Sequence, residues 1–131
     1  MSEPPKLYHT VLDAEDPRAL AEFYRALLGL RFRGDEDDEW LVLLDEDGRQ
    51  ALAFQRTEQL TPTTWPSPEV PMQLHLDFTV PDVAALEENR RRAEELGARL
   101  VMDRSDDAEE PLYVLADPAG HPFCLLVQQP A

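Results

Sequence analysis

Two kinds of hydrophobic spacing follow one another along the chain, and the succession occurs twice. Leu7 to Asp13 reads as a strand. Behind it Leu20, Phe23, Tyr24, Leu27 and Leu28 fall at i, i+3, i+4, i+7 and i+8, the apolar stripe of an amphipathic helix. Asp16 offers an N-cap oxygen, and Pro17 takes the first helical position, where a missing N–H costs nothing. Gly29 suits the left-handed residue that ends such a helix. Three short strands are expected next: Leu30 to Arg33, Trp40 to Leu44 and Ala51 to Arg56. Asp45-Glu46-Asp47-Gly48 forms a hairpin turn between the last two.

Thr57 to Pro71 contains Pro62, Pro66, Pro68 and Pro71, which rules out a helix and disfavours a central strand. It reads as a linker, residues 57–71. The earlier order then returns. Gln73 to Val80 is expected as a strand, and Asp82 caps a helix with the stripe Val83, Leu86, Ala93 and Leu96. Glu87 and Glu88 stand four residues before Arg91 and Arg92, the spacing of helix-surface ion pairs, and Gly97 ends the helix. Arg99 to Met102, Leu112 to Ala116 and Pro122 to Val127 follow as strands, with Asp117-Pro118-Ala119-Gly120 turning between the last two.

Counting sharpens the repeat. His9 lies seven residues before cap Asp16, and His75 lies seven before cap Asp82. Leu28-Gly29 and Leu96-Gly97 close the two helices, and each final hairpin turns at a glycine. The expectation is one domain over 1–131, an α+β fold of two tandem βαβββ modules, about 6–56 and 72–128. An open, curved mixed sheet would surround a cleft, with the helices outside.

The second of these histidines lies in the clearest alternation of the chain. Leu74, Leu76, Phe78 and Val80 should pack on the helices, which turns Gln73, His75, Asp77 and Thr79 toward a wet cavity or bulk water. His9, between Leu7 and Val11, occupies the equivalent place. Two matched histidines could meet near a pseudo-two-fold axis, and neutral imidazole there can ligate a metal or act as a base.

Composition narrows the partners. The 27 acidic and 12 basic residues give a net charge of −15, a field that repels nucleic acid and anionic membranes and attracts cations. The acids gather at Asp35 to Glu39 and Asp103 to Glu110, so solvated loop tips explain most of this charge. One cysteine, Cys124, excludes a disulfide framework and fits a reducing compartment. The first residues resemble no secretory signal, and no apolar run approaches a membrane span, so a cytoplasmic location is expected.

The module order, together with His9-Thr10-Val11-Leu12, Phe23-Tyr24, Leu28-Gly29-Leu30 and the closing Asp117-Pro118-Ala119-Gly120-His121-Pro122-Phe123-Cys124, resembles the vicinal oxygen chelate superfamily. That group includes glyoxalase I, extradiol dioxygenases, and fosfomycin- and bleomycin-resistance proteins. The resemblance spans Lys6 to Gln128 and speaks for fold more than for reaction. It implies a homodimer, a small-molecule cleft between the modules, and metal ligands on the first, fourth, fifth and eighth strands. Carried over position by position, these are His9, Ala53 (or Gln55 on the same face), His75 and Cys124. Both carboxylates of the glyoxalase pattern are missing, and the one carboxylate that oxygen-activating relatives set beside two histidines has no replacement unless Asp77 turns inward.

Three readings follow. In the first, a divalent metal ion is held by His9, His75 and Cys124, with Gln55 as a further donor, in an enzyme of lyase, isomerase or dioxygenase type. In the second, a cationic or aromatic compound is bound without metal in a cleft lined by Gln55, Gln73, Asp77, Trp40 and Trp65, the tryptophans offering stacking faces. The third is a metal-free enzyme using His9 or His75 as acid or base. Beside these stand plainer roles. Cys124, between Phe123 and Leu125, suits a small buried hydrophobe. His121 should be exposed in its turn, and Trp65 could simply anchor the linker.

Overall fold

A computed structural model describes residues 2–128 of the chain. It divides into two compact units, Met1–Leu60 and Thr61–Ala131, the boundary falling inside the proline-rich segment. The first unit runs β1 (Thr10–Ala14), α1 (Pro17–Leu28), β2 (Arg31–Phe32), β3 (Trp40–Leu44) and β4 (Gln50–Arg56). The second runs β5 (Leu76–Val80), α2 (Val83–Glu95), β6 (Arg99–Arg104), β7 (Leu112–Ala116) and β8 (Pro122–Val127). Each unit is a βαβββ module with its own four-stranded mixed sheet, ordered β1-β4-β3-β2 and β5-β8-β7-β6. The first strand of each pairs in parallel with the last, and the remaining pairs are antiparallel.

Local signals explain the helices. The side chain of Asp16 accepts from the Ala19 N–H at 3.1 Å, and that of Asp82 accepts from the Ala85 N–H at 2.8 Å, so each helix starts on a satisfied donor. Gly29 adopts φ 68°, the left-handed geometry that closes α1. The apolar stripe of α1 lies across β3 and β4, burying Leu20, Phe23 and Tyr24. The rings of Tyr24 and Phe54 stack at 6.0 Å in that core. In the second unit α2 packs on β5 and β8 through Leu86 and Ala93, with Phe123 and Leu115 fully buried.

Several sequence expectations need correction. The strands expected from Leu7 and Gln73 begin later, at Thr10 and Leu76, so His9 and His75 each stand immediately before a strand. Gln73 turns the chain with φ 61°, and the Leu74 N–H donates to the Met72 carbonyl at 2.7 Å, which breaks the extended run. Leu7 and Leu74 therefore project outward, 89% and 54% exposed, rather than toward a helix. Val83, expected on the packed stripe, is 53% exposed at the first turn of α2.

On α2 Arg90 also forms ion pairs that the Glu87–Arg91 and Glu88–Arg92 spacing does not indicate, bonding Glu94 at 2.6 Å and Glu87 at 3.3 Å. Tyr113 on β7 joins this cluster: its ring lies 5.2 Å below the Arg90 guanidinium and its hydroxyl donates to Glu87. Burial, followed by that bond to Glu87, raises the Tyr113 pKa. His121, expected exposed, is half-buried, and its carbonyl accepts from the Asp117 N–H at 2.8 Å.

The acidic tips are built from their own carboxylates. Asp37 accepts from the Glu39 and Trp40 N–H groups at 2.8 and 2.9 Å, and Asp107 accepts from Glu109 and Glu110, both at 2.9 Å. Backbone donors hold both carboxyls below the usual range. Much of the negative charge at these tips thus shapes loops, one of which delivers Trp40 to the start of β3.

Candidate functional site

The strand register defines the face of each sheet opposite its helix. In the first unit Val11, Ala53 and Val42 lie side by side across β1, β4 and β3. In the second unit the corresponding row across β5, β8 and β7 is Asp77, Cys124 and Val114. Neighbours across a sheet share a face, so side-chain chemistry is concentrated along such rows. The first row is entirely hydrocarbon. The second carries a carboxylate and a thiol.

His75, Asp77 and Cys124 bring one donor atom each to within 4.8 Å of one another. His75 Nε2 stands 3.3 Å from an Asp77 oxygen, and both side chains are exposed. Cys124 is only 8% exposed and lies beneath them. It belongs to an apolar floor with Leu112 and Val114, against which Trp65, Met72, Val101, Met102 and Leu126 pack. Burial first, then the adjacent Asp77 charge, pushes the Cys124 thiol up to about 12. At neutral pH the free thiol is therefore protonated, which disfavours Cys124 as a nucleophile.

His9 has other neighbours in the first unit. Its Nδ1 donates to Gln50 Oε1 at 2.7 Å, and Gln50 Nε2 donates to the Tyr8 hydroxyl at 2.5 Å. The His9 ring stacks on Tyr8 at 4.5 Å and tilts against Trp40 at 5.9 Å. Gln50 and Tyr8 also border an open cavity of about 500 Å³ with Leu7, Asp45, Gly48 and Arg49.

The expected site residues thus fall into two sets. His75, Asp77 and Cys124 come together, with Trp65 packed on the same floor. His9 gathers with Trp40, and Gln55 is exposed on β4 opposite Trp40. Gln73 sits exposed in the turn before β5. Gln50 and Tyr8 were missed, because a bond spanning 41 residues leaves no trace in local spacing. Leu112, Val114 and Met72 were missed as site residues because each reads as ordinary core or linker.

A four-position metal pattern does not fit these residues. Ala53 is fully buried and has no donor atom, and a cysteine stands on β8 where a carboxylate would be needed. What the second unit offers instead is nitrogen, oxygen and sulfur from a single sheet. Softness of the donors then favours a zinc-class ion over magnesium or calcium.

Comparison with known proteins agrees on the fold. A family model described as a glyoxalase-like domain matches residues 9–126. A glyoxalase/bleomycin resistance protein/dioxygenase family enzyme from Burkholderia phytofirmans superimposes with a TM-score of 0.72 at 16% identity, covering 92% of this chain and 96% of that one. The fosfomycin resistance protein of Mesorhizobium loti gives 0.71 at 17% identity, covering 97% and 95%. The lactoylglutathione lyase of Agrobacterium tumefaciens gives 0.64 at 22% identity, covering 96% of each. No curated protein matches the sequence. Among the described residues, no helix is long and apolar enough to cross a membrane.

Proposed function

The chain belongs to the glyoxalase-like domain family, and from that premise we propose that it binds a small organic cation with a flat apolar body, holding the compound rather than isomerising it. One observation carries this reading: the Asp77 carboxylate stands beside an apolar floor of Leu112, Val114 and Cys124 with an indole, Trp65, packed against it. Trp65, half-buried and supported from beneath by Leu112 and Val114, would offer its π face to the flat body. Asp77, partnered by His75, would face the positive group, and the net charge of −15 would raise the local concentration of cations.

Two features favour holding over turnover. Ala53 supplies no donor. Cys124, protonated at neutral pH, supplies no base where the glyoxalase pattern uses a carboxylate. A reducing cytoplasm suits the free thiol of Cys124, and pairing of two chains would cover the β1 and β5 sheet edges.

The test is a fluorescence and thermal-shift titration with planar aromatic amines (aminoacridines, aminoquinolines) against naphthoate and benzoate as anionic counterparts. Saturable indole quenching by the amines, weakened about tenfold or more in Asp77→Asn, is expected. Quenching only by the carboxylates, or amine affinity unchanged in Asp77→Asn, would overturn the reading.

A further inference from the structure

We propose that the second module alone holds a thiophilic divalent cation of the zinc class on His75, Asp77 and Cys124, with one coordination position left open. The three side chains come from adjacent places in one sheet. Asp77 and Cys124 are register partners on β5 and β8, and His75 lies two residues before Asp77 on the same side of the chain.

Their donor atoms already lie within 4.8 Å of one another, and His75 Nε2 is 3.3 Å from an Asp77 oxygen. Ligands around a tetrahedral zinc-class ion stand about 3.5 Å apart, from bond lengths of about 2.0–2.3 Å. Closing onto an ion therefore asks for a contraction of about 1 Å, which the two exposed side chains can make by small rotations. Cys124 fixes the sulfur from below on the apolar floor and gives up its thiol proton to solvent as the metal–sulfur bond forms, while Leu112, Val114 and Trp65 limit water on that side.

The donor set also selects the ion. A single carboxylate with imidazole and sulfur suits zinc or cadmium. It lacks the oxygen shell that magnesium and calcium require. This site departs from the family's four-strand pattern twice: it recruits Asp77 on β5, and it needs no residue of the first module, where the equivalent row is Val11 and Ala53. Both readings use Asp77, so an ion held there would exclude the organic cation; the titration below contains no organic ligand, so its failure leaves the compound-binding reading standing.

The experiment is a cadmium titration of the full chain, purified without a histidine tag and freed of metal with chelator, following the thiolate-to-cadmium charge-transfer band in the ultraviolet. One equivalent should saturate the band, zinc should displace cadmium, and magnesium should not. His75→Ala and Asp77→Asn should each weaken binding about tenfold or more, whereas His9→Ala should change it less than about twofold. Thermal melts of the unloaded variants separate loss of ligands from loss of fold. Absence of a band in the folded wild-type chain overturns the proposal. So does a band unaffected by His75→Ala and Asp77→Asn, which would mark a bare thiol, or a loss in His9→Ala equal to that in His75→Ala.

Discussion

The two modules share caps, helix, strand order and a histidine before the first strand, yet the central rows on the sheet faces opposite their helices differ in kind. Val11, Ala53 and Val42 offer only hydrocarbon, and Ala53 and Val42 are fully buried. Asp77, Cys124 and Val114 offer a carboxylate and a thiol beside one apolar residue. The histidines differ correspondingly. His9 is tied to Gln50 and stacked on Tyr8, so it is part of the module's own fabric. His75 is exposed and pairs with Asp77. The two modules share one scaffold, and the carboxylate and thiol of this row stand in the second.

The largest expected effects test the shared part of this comparison. Phe54 and Phe123 are the fully buried aromatic residues on the last strand of each module. Truncating either to alanine should cost about 3–5 kcal/mol in urea denaturation, because each leaves a cavity under its helix. Near-equal losses would support equivalent cores. A loss below about 1 kcal/mol at one site would mean that this module collapses to fill the space, and the equivalence would break.

Next in size are the caps. Asp16→Ala and Asp82→Ala each remove one acceptor from a helix N-terminus, and about 1 kcal/mol is expected from either. Amide exchange should sharpen the contrast. Five residues of α1 are buried against only Leu86 and Ala93 in α2, so α2 should exchange faster. Slower exchange in α2 would mean that the Arg90–Glu87–Tyr113 cluster outweighs buried hydrocarbon.

Smaller still is the difference between the histidines. His9→Ala loses a 2.7 Å hydrogen bond and two ring contacts, and should destabilise by about 1 kcal/mol. His75→Ala breaks an exposed pair and should stay within about 0.5 kcal/mol. The reverse order, measured by chemical denaturation, would contradict the assignment of a structural role to His9 and a binding role to His75.

The smallest effect concerns pH and both modules together. Asp37 in the first module, and Asp103 and Asp107 in the second, are held below the ordinary carboxylate value of 3.8 by local donors. A carboxyl lowered on folding contributes fully above its unfolded value and loses that contribution as pH falls through the folded one. The melting temperature should therefore hold level from pH 7 to about 5 and decline below about 4. A rise on acidification would show that repulsion within the net charge of −15 outweighs these bonds.

Much of the scaffold was legible in the sequence, since caps and periodicity are local. Asp16, Pro17 and Gly29 mark α1 unaided, and β3, β7 and β8 fall on the residues their patterns indicate. Boundaries failed where a backbone turn intervened, as at Gln73, whose positive φ no polar side chain announces. The site was legible only in pieces. Counting from the caps found His9 and His75, but register decides which groups share a row, and register forms between residues as far apart as Asp77 and Cys124. Asp77 read as a lining residue that could also turn inward as a carboxylate ligand, and Cys124 as either a metal ligand or a buried hydrophobe; only pairing shows that the two stand side by side.

Amide chemical-shift mapping of the labelled chain, titrated with the tightest-binding planar amine, tests most directly whether the second module carries the binding chemistry. The largest shifts should fall at Asp77, Val114 and Cys124 and at the Trp65 indole, with His9, Gln50 and Ala53 nearly unchanged. Largest shifts at Val11, Val42 and Ala53, or around Tyr8 and Gln50, would contradict it.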